Sequence, residues 1–168
     1  MSCTPPPKPP PAARGPSAKW RARAFHLRGA RTGFMLRAMS TSCPFCTLPA
    51  DRIIATDGPC VAFRDGFPVS VGHTLIIPQR HVASFRDLTP DEWAAALRLA
   101  QRLAAELQQN DPAIAGFNFG VNDGATAGQS VFHCHFHLIP RRAGDHPNPR
   151  GGVRGVIPHK ADYPCPHR

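Results

Sequence analysis

Three histidines alternate with other, mostly apolar residues in His133-Cys134-His135-Phe136-His137-Leu138-Ile139. On an extended chain alternate side chains share a face. That sets the imidazoles in a row about 7 Å apart and turns Cys134, Phe136 and Leu138 toward the opposite, core-facing side. Three imidazoles on one face of an apolar strand are a poor way to build stability, so the row reads as chemistry. Imidazole ligates metal, carries protons or attacks phosphorus. A catalytic zinc held by all three would need every donor nitrogen near 2 Å from one ion, which a row at this spacing opposes without a strong twist. Divided roles fit better, with one end histidine on a metal and the middle one free to react.

A second constellation is Cys43-Pro44-Phe45-Cys46 together with His81. A Cys-x-x-Cys pair serves either redox chemistry or zinc. The redox reading wants a thioredoxin-like βαβ context, which this chain lacks. A tetrahedral zinc would need two more nitrogen or sulfur donors beside the cysteine pair; without metal, both cysteines read as buried core. Cys3, Cys60, Cys134 and Cys165 have no such spacing and read as small core or surface residues. A third feature is the polar stretch 122–130, Asn-Asp-Gly-Ala-Thr-Ala-Gly-Gln-Ser, a loop whose free backbone N–H groups could cradle an anion.

These residues need a frame. Gly58-Pro59 marks a turn, after which Cys60–Phe63 reads as a short strand broken by Gly66-Phe67-Pro68. His73–Ile77, ended by Pro78, reads as a buried strand. Thr89-Pro90-Asp91-Glu92 starts a helix: Thr89 as N-cap, Pro90 in the first position, Glu92 completing a capping box. Trp93, Leu97, Ala100, Leu103 and Leu107 then form the expected apolar stripe, with Arg98, Arg102, Glu106 and Gln109 in solvent, until Asn110-Asp111-Pro112 ends it. Gly116–Val121 is expected as a third strand and Val131 to Ile139 as a fourth. A long helix with one wet face packs on a sheet.

The chain has 168 residues, enough for one domain and perhaps a tail. Its net charge of +9 is uneven. Residues 1–38 hold 8 Lys/Arg and no acid, whereas residues 39–168 hold 12 Lys/Arg against 11 Asp/Glu. The basic balance therefore describes a leader, and it does not argue for a specific nucleic-acid binder. Residues 4–16 hold seven of the 20 prolines, which suits disorder or polyproline II. The leader is expected either as a transit peptide or as a stretch ahead of a true start at Met35 or Met39. A cytoplasmic location follows from the second reading and an organelle matrix from the first. No run of 18 apolar residues exists, so no transmembrane helix and no membrane partner are expected. The organisation expected is leader 1–38, domain 42–145 and tail 146–168.

The 133–139 segment resembles the H-φ-H-φ-H-φ-φ signature of the histidine triad (HIT) nucleotide hydrolases, with φ apolar. Gly128-Gln129-Ser130-Val131, Asn122-Asp123-Gly124, Gly72-His73, Ile77-Pro78 and Phe63-Arg64-Asp65 are similar to the same family, so the resemblance covers about residues 43–142. Gly151–Pro158 looks like a bacterial branch. The resemblance implies an α+β fold: a five-stranded antiparallel sheet with one long helix and one or more short ones, commonly joined in a homodimer with a ten-stranded sheet. It implies hydrolysis of a small-molecule nucleotide, with His135 attacking the α-phosphorus and a nucleoside monophosphate released from the nucleotidyl-histidine. His137 and Ser130 would stabilise phosphoryl charge. Asp65 would accept the ribose hydroxyls, and Asn122, Gly128, Gln129, Ser130 and His137 would complete the nucleotide site. Similar members hold a structural Zn2+ at the positions of Cys43, Cys46, His81 and His133. Transferase relatives usually carry Gln where this chain has His137, which favours hydrolysis. The candidate substrates are nucleoside phosphoramidates, aminoacyl adenylates and dinucleoside polyphosphates. Two other readings stay open: a metallohydrolase using the histidine row, and a non-catalytic nucleotide-binding protein.

Overall fold

Five strands form where β-branched and small apolar residues run between turn residues: β1 (Ile53–Asp57), β2 (Cys60–Arg64), β3 (Thr74–Pro78), β4 (Ile114–Val121) and β5 (Phe136–Arg142). The computed structural model describes residues 43–161, so the leader expected over 1–38 lies outside the described residues. Among the described residues the strands make one antiparallel sheet in the order β1-β2-β3-β5-β4. The fold is α+β, with one long helix and several short 3-10 turns. Gly58, with φ +46°, sits in the two-residue turn that closes β1 onto β2.

Helix α1 (Pro90–Asn110) starts as its sequence requires. Thr89 Oγ1 accepts from the Glu92 N–H at 3.2 Å, and the Glu92 carboxylate accepts from the Thr89 N–H at 2.8 Å. Arg80 also donates to Glu92 from Nε (3.1 Å) and Nη2 (2.8 Å), so this buried carboxylate ties the helix start to the end of β3. The buried face of α1 is Ala95, Ala96, Leu99, Ala100 and Leu103, laid on Cys60, Ala62, Ile76, Cys134, Phe136 and Leu138. The expected stripe needs one correction. Leu97 is 45% exposed. It lies one step, about 100°, round the helix from Ala96, and the alanines, being small, are the residues that bring the helix close to the sheet.

The fourth expected strand also differs. It spans Phe136–Arg142, so residues 131–135 precede it. There the His133 N–H turns back to Val131 O at 2.8 Å and the Cys134 N–H goes to Val82 O at 2.6 Å, which takes both groups out of a ladder. Strand β1 is announced in the sequence by Ile53 and Ile54 alone, too short a run to be expected as a strand. The opposite face of the sheet carries Val61, Phe63, Leu75 and Ile77, covered by Phe45, Leu48 and Ile53. Register places His137 on that same face, paired with Leu75 on one side and Gly120 on the other. The residues expected to act thus lie across the sheet from α1. Residues 152–160, expected within a tail, form two 3-10 turns, Gly152–Val156 and Pro158–Lys160.

Candidate functional site

The Cys-x-x-Cys turn, the loop after β3 and the segment before β5 converge. Cys43, Cys46, His81 and His133 each offer one donor atom, all within 4.8 Å of one another. Cys43 Sγ is 3.5 Å from His133 Nδ1, Cys46 Sγ is 3.6 Å from the same nitrogen, and Cys46 Sγ is 3.2 Å from His81 Nδ1. A tetrahedral zinc with S at about 2.3 Å and N at about 2.0 Å sets its S and N ligands about 3.5 Å apart, so the donor set fits that ion. His133 is fully buried, and its Nε2–H donates to Pro78 O at 2.9 Å. That bond fixes the tautomer and leaves Nδ1 as a lone pair facing both sulfurs. Burial holds the His133 pKa below the usual imidazole range, which also favours the ligating neutral form.

His135 lies at the entry to β5, 5% exposed. Its Nδ1–H donates to the carbonyl of His133 at 2.7 Å, which sets the tautomer in which Nε2 carries the lone pair of the neutral ring. The rings of His135 and His137 are 5.1 Å apart at 65°. This is closer than the spacing expected for a regular strand, because His135 precedes β5 while His137 lies in it. His133 leaves the expected row for the cysteines.

A half-buried chain runs from His137 through the buried His73 to an acid. His137 Nδ1 is 3.0 Å from His73 Nε2, and His73 Nδ1 is 3.2 Å from Asp65 Oδ2. Asp65 Oδ1 accepts from the Phe67 N–H at 2.9 Å. His137 Nε2 is buried with no hydrogen-bond partner, the one such side-chain nitrogen or oxygen among the described residues. It accepts or donates according to how protons sit along the chain, so the group that meets it sets the tautomer. Burial, then the neighbouring His135 and His73, push the His137 pKa down to about 4, and burial lowers that of His73. Both rings are neutral near pH 7.

The 122–130 loop is held from within. Gln129 is buried; its Oε1 accepts from the Gly124 N–H at 2.7 Å and its Nε2 donates to Ala83 O at 2.7 Å. Its side chain thus braces the loop. Gly124 and Gly128 both have φ +88°, a backbone that suits glycine. Asn122, Gly128, His73 and His137 line an open cleft of about 1050 Å³ on this face, bounded by Val69 and by Val156 of the C-terminal turns. Ser130 is exposed at the end of the loop. In the sequence His73 stands only at the head of a strand and in a Gly-His match, and Phe45 only as the filling of the cysteine pair; the structure brings both to the histidines.

The sequence model of the HIT domain family matches residues 49–144. An uncharacterized 16.1 kDa HIT-like protein of Mycoplasma pneumoniae is 37% identical over 107 residues, 61% of this chain and 73% of that protein. A zinc-bound histidine triad family protein from Mycobacterium smegmatis superposes with a TM-score of 0.56 at 34% identity, covering 71% of this chain and 94% of that one. A HIT family hydrolase from Legionella pneumophila superposes with a TM-score of 0.51 at 32% identity, covering 60% and 93%.

Proposed function

Because the chain belongs to the HIT domain family, we propose that it is a nucleotide hydrolase that cleaves at the α-phosphorus through a nucleotidyl-histidine on His135. The observation that carries this reading is the 2.7 Å bond from His135 Nδ1 to the His133 carbonyl. It presents Nε2 with its lone pair while the carbonyl stabilises the charge the ring gains on attack. In the first step the Nε2–P bond forms as the bond from phosphorus to the leaving group breaks. In the second, water attacks phosphorus, the Nε2–P bond breaks, and a nucleoside monophosphate leaves. His137, with Nε2 protonated, donates to a phosphoryl oxygen, supported by Ser130 and the loop N–H groups. Asp65 accepts the ribose hydroxyls. Asn122 and Gly128 line the nucleotide cleft, and Gln129 keeps it open by bracing the loop.

Cys43, Cys46, His81 and His133 would hold a structural zinc, which supplies a crosslink between the cysteine turn and the segment before β5. The sites' separation speaks against a metallohydrolase built on the whole row, since His133 Nδ1 faces the sulfurs and His135 Nδ1 is bonded to backbone. A homodimer paired through β4 is supported by that strand's place at the sheet edge. The test is a panel of adenosine 5′-phosphoramidate, an aminoacyl adenylate and diadenosine polyphosphates, run with wild type and His135→Ala. The variant should lose turnover and still bind a nucleoside monophosphate. Retention of more than about a tenth of wild-type kcat would overturn the assignment.

A further inference from the structure

Phe45 stands between the two cysteines of the proposed metal turn. Its ring meets that of His135 at 5.3 Å and 79°, that of His133 at 5.9 Å and 68°, and that of Phe63 at 5.3 Å and 66°. All three contacts are near-perpendicular, a favoured arrangement for ring pairs. One side chain therefore touches the sheet, a histidine that would ligate the metal, and the histidine that would react. The bond from His135 Nδ1 to the His133 carbonyl fixes a distance, but one hydrogen bond leaves a ring free to rock about it. The Phe45 ring packs edge-to-face against the His135 ring and so restrains that motion.

The turn's own hydrogen bonds are local. The Cys46 N–H donates to Cys43 O at 3.0 Å, and Thr47 Oγ1 donates to the same oxygen at 3.3 Å. They shape the turn without tying it to β5, so its sulfurs and its apolar side chains do the docking. Pinning Cys43 and Cys46 fixes the backbone on both sides of Phe45.

We propose that Phe45 is a positioning residue that transmits the seating of the cysteine turn to the ring of His135. A metal held by the turn would then order the reacting imidazole by a second route, beside its direct hold on His133. The consequence for turnover rests on His135 being the nucleophile; the ordering of the ring does not.

The experiment compares full-length wild type, Phe45→Leu and Phe45→Tyr, each loaded with zinc. Metal content and Tm serve as controls. Leu keeps apolar bulk and loses the ring, and Tyr keeps the ring. With adenosine 5′-phosphoramidate, Phe45→Leu should lower kcat about tenfold, as expected for a misplaced reacting group, with KM within about twofold. Phe45→Tyr should restore most of the rate. In 15N-histidine-labelled protein the His135 Nδ1–H resonance should be sharp and slow to exchange in wild type. It should be broadened in Phe45→Leu, and likewise in wild type stripped of zinc. A wild-type kcat and an unchanged resonance in Phe45→Leu would overturn the proposal. So would a loss confined to KM, which would put the ring on the substrate. If His135→Ala keeps its activity, the nucleophile reading fails, and the resonance alone still decides whether Phe45 orders the ring.

Discussion

His137→Gln should flatten the acid side of the stability curve. The His137 imidazole is pushed down to about 4 from an ordinary 6.5, by burial first and then by His135 and His73. The unfolded chain takes its proton near pH 6.5 and the folded chain only near 4. Stability that depends on the neutral ring is therefore complete above pH 6.5 and is lost as the pH falls toward 4. Each pH unit between the two values is worth about 1.4 kcal/mol, which gives a ceiling of about 3 kcal/mol. The ring is not fully shut off from water, so about 2 kcal/mol is expected between pH 7.5 and 4.5. Gln removes the titration and keeps an amide that can reach His73. Urea unfolding of both proteins at the two pH values reads the effect directly. At a slope of about 2 kcal/mol per M, the wild-type midpoint should fall about 1 M further than that of the variant. The cysteine–histidine cluster is common to both proteins, so its contribution cancels in the comparison. Midpoints that move in parallel would show that His137 is not held neutral by the fold.

Three further outcomes follow. In one EDTA titration, Tm should fall together with activity, because a structural metal stabilises only the folded state; prompt loss of activity with Tm unmoved would make the metal catalytic. Leu99→Ala, at a fully buried position of α1, should cost about 3 kcal/mol, while Leu97→Ala should change urea stability by less than about 0.5 kcal/mol; equal costs would refute the phase of the helix. Deleting residues 1–38, with their seven-proline run and no periodic apolar stripe, should leave Tm unchanged within error, and a large drop would show that the leader packs on the domain.

Much of the frame was legible in the sequence because it rests on local rules. The capping box at Thr89 and Glu92 needs only four residues, and the run before Pro78 only five. The four candidate metal donors are joined in the sequence only by family resemblance, since Cys43 and His133 meet across 90 residues of chain. Leu97 misled because hydrophobicity does not say which side of a helix approaches the sheet; small alanines decided it. The break before β5 was hidden because strict alternation from 133 to 139 reads the same whether or not His133 and Cys134 find ladder partners. Gln129 sits in the family-like stretch, yet its polar atoms turn inward to Gly124 and Ala83. His73 and Phe45 meet the histidines through ring contacts between distant segments, which residue spacing in a single sequence does not show.

Trapping the covalent intermediate tests the role of His135 most directly. Enzyme mixed with excess adenosine 5′-phosphoramidate is quenched in alkaline denaturant, where a phosphorus–nitrogen bond to imidazole survives, and its peptides are mapped by mass. One adduct of a nucleoside monophosphate is expected, on His135, absent from His135→Ala. Rapid turnover with no adduct at any time, or an adduct on another residue, would contradict it.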